Sequence, residues 1–523
     1  MAGGGMVPVS PGSHQFNGRV TACVILSSLV AASGGLLFGY DIGITGGVTN
    51  MDGFLEAFFP AVLTKKLSAH ENSWCKFDSQ LLQLFTSSLF IAGIFGGLIA
   101  SVTTSRFGRV RTMLVGGIFF LLGAALTGAA VNIEMLVLGR AVPLYLSEMA
   151  PAQLRGALNM MFQMATTLGI VGGQLINYGT AHLHPWGWRL SLALAAVPAA
   201  VLTAGGLFLP DTPNSLVERG HATCGRQVLQ RIRGIEVDVQ EEFDEIQRAC
   251  NASKTVKAPF FAIFRRKYRP ELTWAILIPV FQQLTGINAI MFYVTPLFQS
   301  LGFGDSASLL TTVITGAVNV VATLVSILTV DRFGRKSLFL VGGVQMVLAQ
   351  VAIGVLLGTT YASGTGSLSS GYATAVVVVI CVYVAGFAWS WGPLGWLVPS
   401  EIQPLETRSA GQSITVAVNF IFTFAVGQAF LSMLCHFKFG IFLFFAAWVV
   451  VMTVCVILFL PETKGVPIEE MAGVWQRHWF WKRVVPTPAL EGETSKAEKG
   501  DKNQAVGASS NGAMEEKAVV SDV

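Results

Sequence analysis

Apolar stretches lie near residues 20–46, 81–102, 112–130, 133–146, 157–180 and 188–209. After a charged interval they resume near 272–299, 307–329, 337–360, 373–399, 412–434 and 438–460. About 20 residues, each rising ~1.5 Å, cross the ~30 Å hydrocarbon core as a helix. Eleven of the twelve stretches are long enough. The pattern predicts an all-α membrane protein with twelve spans. The fourth stretch is the exception, since Ile133 to Leu146 is only 14 residues, about 21 Å of helix.

Lys and Arg orient the spans. Arg106, Arg109 and Arg111 follow span two, Arg155 follows span four, and Arg332, Arg335 and Lys336 follow span eight. Arg408 follows span ten, residues 211–271 hold eleven Lys and Arg, and the loops after spans three, seven and nine hold none. The positive-inside rule then places both termini and the long linker in the cytosol. The domains expected are a cytosolic tail at 1–19, a helical bundle at 20–210 with an outer lid at 51–78, and a linker with short helices at 211–271. A second bundle follows at 272–462, then a cytosolic tail at 463–523. From about 476 the tail is polar and mixed in charge, and it is predicted to be disordered, chiefly after 485.

Composition agrees with a membrane chain. Of 523 residues, 52% are hydrophobic and 12% charged, with 56 glycines as expected for close helix packing in lipid. The net charge of +4 is small and spread over short loops, which argues against a nucleic-acid partner. The seven cysteines include no C-x-x-C pair, so no metal site is expected. No Ser/His/Asp, metal-ligand or phosphate-loop constellation occurs, so the chain does not read as an enzyme.

The chain repeats itself. "SRFGRVR" (105–111) returns as "DRFGRKS" (331–337), "SEMAPAQLR" (147–155) as "SEIQPLETR" (400–408), and "LPDTP" (209–213) as "LPETK" (460–464). Three motifs in one order indicate two homologous six-helix bundles. The basic loops either anchor helices at the cytosolic face or latch the two halves. In a latch, Glu148 and Arg155, and Glu401 and Arg408, would join Arg106, Arg109, Asp331, Arg332 and Arg335.

RFGR loops, the SE…R motif, PETKG and "QQLTGIN" (282–288) resemble the sugar porters of the major facilitator superfamily. "GYDIGITGGV" (39–48) and a Cys-bearing loop after span one resemble the plant sugar transport proteins, which are proton/monosaccharide symporters. The resemblance runs from about residue 18 to 480, with Ser105 standing where the second repeat has Asp331. It implies a multi-pass plasma-membrane protein that takes up monosaccharides by alternating access. The proton would be the coupling ion, with no cofactor. A passive hexose facilitator, or an inactive or sensor paralogue, stands as the alternative.

A hexose needs paired donors and acceptors and an apolar plate. Gln282, Gln283 and Asn288 on span seven, Asn319 on span eight, Asn419 and Thr423 on span eleven and Gln163 on span five supply the polar groups. Gly392 and Trp396 belong to a Pro- and Gly-broken span ten. Such amides can equally glue helices together, at ~0.6 kcal/mol each. The resemblance implies sugar binding at these positions, mostly in the C-terminal half.

Asp41 is a carboxylate in an apolar run, at a cost of about 2.5 to 3.5 kcal/mol on insertion scales. Low dielectric favours its neutral form and a nearby guanidinium its charged form, so alternation between the two would carry protons. Arg140 is the other strongly charged residue deep in the first-half spans. The two either form this switch, as the resemblance implies, or a static ion pair. Cys75 and Cys435 fall in outer loops and can pair or remain thiols; the resemblance implies a bridge between the halves. Residues 51–67 read as an amphipathic lid over the proton site.

The repeat measures the deficit in span four. Arg109 and Glu148 are 39 positions apart, whereas Arg335 and Glu401 are 66 apart. Part of that difference is the longer loop at 361–372. An omitted exon or alternative transcript, a shortened inactive paralogue and a re-entrant span all account for it, and each leaves the depth of Arg140 open.

Overall fold

The computed structural model describes residues 22–68, 73–141, 157–234, 238–255, 259–300, 303–362, 370–404, 406–466 and 470–485. Helix α1 (Ala22–Val48) leads to a short pair, α2 (Asp52–Phe58) and α3 (Pro60–Ser68). Next come α4 (Gln80–Phe107), α5 (Arg109–Gly128), α6 (Ile133–Ala141) and α7 (Ala157–Thr180), and then a crossing divided into α8 (Gly187–Ala193) and α9 (Ala196–Phe208). The linker carries α10 (Pro213–Glu218), α11 (Ala222–Arg233), α12 (Gln240–Thr255) and α13 (Pro259–Ala262). The second bundle contains α14 (Arg269–Leu284), α15 (Ile287–Ser300), α16 (Asp305–Phe333) and α17 (Arg335–Ala362). It continues with α18 (Ser370–Trp389), α19 (Trp391–Ile402), α20 (Arg408–Phe437) and α21 (Gly440–Phe459), and α22 (Met471–Arg477) follows. Among the described residues, nine helical stretches are long and apolar enough to cross a bilayer.

Lipid-facing and core-facing sides separate by helical spacing. On α17, Val341, Val344, Leu348, Val351 and Val355 are exposed at steps of three and four, while Phe339, Met346, Ile353 and Leu357 are buried. Both faces are apolar, so the bilayer and the bundle interior divide the helix between them.

The repeated motifs have one structural job in both halves. Gly108 and Gly334 take positive φ of 90° and 86° and let a carboxylate reach the start of the next helix. Asp211 accepts from the Arg109 backbone N–H at 3.3 Å. Glu462 accepts from the Arg335 and Lys336 N–H groups at 2.9 and 3.1 Å. Each carboxylate neutralises orphan donors at a helix N-terminus. The halves diverge beyond that point. In the second, Arg335 forks onto Glu401 at 2.7 and 3.1 Å and also meets Asp331 at 3.2 Å, whereas the first has Ser105 in place of that Asp.

These ion pairs lie within one bundle, not between the two. Arg106 and Arg332 are exposed, although the Arg332 carbonyl accepts from Lys464 Nζ at 2.8 Å. Arg408 is buried. Glu148 and Arg155 lie outside the described residues. The tail also differs from its expected disorder beyond 476. It packs on the second bundle as far as Val485, because Trp475 and Trp481 are buried and the indoles of Trp479 and Trp481 donate to the Leu458 and Phe459 carbonyls. Residues 486–523 lie outside the described residues.

Candidate functional site

Gly35, Gly39 and Gly43 recur every four residues on α1, as Gly169 and Gly173 do on α7. This spacing lets backbones touch. A Cβ on Gly39 would overlap the Thr166 carbonyl oxygen, and one on Gly43 that of Ile170. Two residues turn an α-helix by about 200°, so the face that meets α7 points Asp41 the other way. There it is 8% exposed and lines a slot with Thr127, Arg140 and Leu192. The slot measures ≈ 10 Å³, the scale of a single water.

Arg140 is 3% exposed. Its Nη2 donates to Thr45 Oγ1 at 2.6 Å and to the Asp41 carbonyl at 3.4 Å, so its hydrogen bonds go to Thr45 and the α1 backbone, not to the Asp41 carboxylate. Nε and Nη1 have no hydrogen-bond partner among the described residues. The guanidinium carbon sits 4.5 Å over the Phe85 ring, a cation–π contact that replaces part of the lost hydration. Helix α6 is described for nine residues, and the rest of the short stretch falls in 142–156, outside the described residues. Arg140 nevertheless reaches the slot.

Above this group lies the 51–68 segment. Phe54 is fully buried and packs 5.1 Å from Phe85 and 5.7 Å from Trp188, ring to ring. Lys66 ties the segment down through Asp52 at 2.8 Å, the Asn50 carbonyl at 3.2 Å and Asp305 of the second bundle at 3.4 Å. The aromatic column runs from Phe54 through Phe85 to the Arg140 guanidinium.

The amides of the second bundle form two hydrogen-bonded pairs. Asn419 Nδ2 donates to Gln282 Oε1 at 2.8 Å, and Gln282 Nε2 donates to the Trp391 and Gly392 carbonyls at 3.2 and 3.1 Å. Asn288 Nδ2 donates to Gln283 Oε1 at 2.6 Å, and Thr423 Oγ1 to the Asn419 carbonyl at 2.8 Å. Two helix breaks lie beside these pairs. At Ser390 the backbone leaves helical geometry (φ −126°, ψ −90°), and Gln282 meets the first turn of α19 just after that break. At Thr285–Gly286 the crossing divides into α14 and α15, and the Thr285 carbonyl is met by Gln350 and Tyr383, each at 2.8 Å.

Asn319 is buried with Oδ1 unpaired, and Trp396 and Gln163 are half-buried. None of these three hydrogen-bonds to the amide set. Sequence reasoning passed over Gln350 and Tyr383, whose role exists only because a distant helix breaks. It also missed a cluster of four phenylalanines, one of them Phe420 next to Asn419 in the chain. Phe90 lies 5.8 Å from Phe420 and 5.5 Å from Phe292, and Phe38 lies 6.2 Å from Phe420. With 36 phenylalanines in the chain, no local signal marks these. Gln174 and Asn177 on α7 were missed as well, although two amides in an apolar span were visible.

The halves meet tightly at one end. A disulfide joins Cys75 to Cys435 with Cα atoms 4.6 Å apart. Below it, Gln80 donates to Ser432 at 2.9 Å, Ser432 to Asp78 at 2.8 Å and Ser87 to Gln428 at 2.8 Å, all between the α4 side and α20.

The family described as "Sugar (and other) transporter" matches residues 27–475. The chain belongs to that family. The transporter is 58% identical over 500 residues to "Sugar transport protein MST3" of Oryza sativa subsp. japonica, covering 93% of this chain and 96% of the relative. It is 54% identical to "Sugar transport protein 10" of Arabidopsis thaliana, covering 94% and 98%. Among solved structures it resembles the major facilitator superfamily proton:xylose symporter XylE bound to 6-bromo-6-deoxy-D-glucose. There the TM-score is 0.71 at 25% identity, covering 87% of this chain and all of that one. The partially occluded inward-open xylose transporter XylE from E. coli matches with a TM-score of 0.67, which speaks to the fold alone.

Proposed function

We propose that the transporter moves a monosaccharide together with a proton across a membrane by alternating access. The plasma membrane with both termini cytosolic is the proposed setting. The observation that carries the reading is the division of labour between the bundles. One holds a buried carboxylate beside an under-bonded guanidinium, and the other holds neutral hydrogen-bonded amide pairs. The family relationship and the sugar-named relatives support the same reading.

Asp41 is the proton carrier in this proposal. When it loses its proton, the charge draws Arg140 from Thr45 and the α1 backbone, whose glycine face is in contact with α7. When it gains one, Arg140 returns to Thr45. Movement of α1 thus reports protonation to the sugar-binding helix α20, because Phe38 of α1 packs against Phe420, the neighbour of Asn419. Gln282, Gln283, Asn288 and Asn419 exchange hydrogen bonds among themselves for bonds to sugar hydroxyls, with Asn319, Thr423, Gln163 and the Trp396 indole completing the site. Arg109 with Asp211, and Arg335 with Glu401, hold the cytosolic ends of the helices within each bundle as the bundles rock.

Labelled-hexose uptake by purified transporter in vesicles tests the proposal. Uptake that rises with external acidity and collapses with an uncoupler supports it. Flux indifferent to both points to a passive facilitator, and absence of flux with intact sugar binding points to a sensor.

A further inference from the structure

We infer that the transporter has a second sugar subsite, centred on Gln174 in the seam between α7 and α16 on the disulfide side of the amide set. The inference rests on the proposed sugar transport. Gln174 is 2% exposed, and neither its Oε1 nor its Nε2 has a hydrogen-bond partner among the described residues. It fits only because position 316 of α16 is glycine, where a Cβ would overlap its Oε1 and come 3.0 Å from Val171. Other unpaired polar atoms lie along α16: Asn319 Oδ1 and Ser308 Oγ.

Buried polar atoms are ordinarily satisfied, so several orphans along two facing helices call for a missing partner. The seam joins the two bundles, which opens it whenever they part at this end. Its orphans are neutral and include both donors and acceptors, and a ligand hydroxyl answers both. Gln174 lies 11 residues from Gln163 on α7, three turns away and within about 20° of the same face. Asn319 follows Gly316 by three residues on the corresponding face of α16. A sugar released from one cluster therefore meets the next without leaving the seam.

Hexose uptake and equilibrium binding by the full chain, using Gln174→Leu and Gly316→Ala with a panel of monodeoxy-hexoses, test the subsite. Gln282→Leu serves as the control for the main site. The expected result is a three- to tenfold rise in KM, roughly the worth of one lost hydrogen bond. One deoxy-hexose should also lose its penalty in Gln174→Leu, because its hydroxyl no longer has a partner to lose. The Gly316→Ala variant, which displaces the same amide, should repeat the pattern. KM and deoxy-sugar penalties unchanged in both variants, with the Gln282→Leu control impaired, would overturn the subsite and leave the transport reading standing. Unchanged penalties with a gain in thermal stability mark Gln174 as an orphan amide or one met by water, and likewise overturn it. A wild-type chain that neither binds nor carries any hexose overturns both.

Discussion

The two bundles descend from one repeated pattern, yet their interiors follow opposite rules. The second contains neutral amide pairs in which Gln282 makes hydrogen bonds at both ends of its amide, to Asn419 and to the Trp391 and Gly392 carbonyls. The first contains charges left under-bonded, with two guanidinium nitrogens of Arg140 lacking partners among the described residues and Asp41 lining a water-sized slot. A satisfied network has one preferred arrangement and offers a fixed pattern to a ligand. An unsatisfied charge can be tipped between arrangements by one proton, because neither arrangement satisfies it fully. Recognition suits the first kind of interior and switching the second.

Removing the switch should give the largest effect. Asp41→Asn is expected to abolish accumulation of hexose against its gradient while leaving exchange or weak binding. Counterflow beside net uptake measures the difference, and undiminished accumulation would break the comparison. Next comes the network. Asn419→Ala removes one hydrogen bond to the sugar, about 0.5 to 1.5 kcal/mol. That corresponds to roughly a two- to twelvefold loss of sugar affinity. Equilibrium binding should show this loss, while the pH profile of the residual uptake keeps its shape. An altered pH profile would mean that the two interiors are not separate.

A smaller effect sharpens the switch itself. Thr45→Val removes the acceptor that holds Arg140 away from the carboxylate. A guanidinium released toward Asp41 favours its charged form, so half-maximal uptake should require a more acid medium. A shift toward alkaline pH, or no shift, would deny Thr45 this part. Smallest is the tie between the halves. Cys435→Ser is expected to lower the unfolding temperature of the detergent-solubilised protein and to change sugar affinity by less than about twofold. Disulfides act mainly on the unfolded chain, so a large affinity change would instead make the bridge part of the site.

Much of this was legible before any folding was considered. Block length and apolarity specify membrane-spanning helices, because no other spanning structure satisfies the backbone within one segment. Repeated motifs specify two bundles, and a lone carboxylate in an apolar run marks a site because burying it is costly. Gly39 and Gly43 flank Asp41 at helical spacing, so even the face it occupies follows from local geometry.

What the sequence left open was partnership. Helix α17 reads as apolar on every side, and only packing separates the lipid-facing Leu348 from the buried Met346 two residues before it. Arg140 could have faced the Asp41 carboxylate or its backbone, and the contacts of Thr45 and Phe85 chose the backbone. Gln350 and Tyr383 acquired their roles from a break at Thr285, 65 and 98 residues away. Local sequence determines which groups must be buried or paired. Which partner each one meets is decided by the tertiary structure, because the groups compete for each other across the whole bundle.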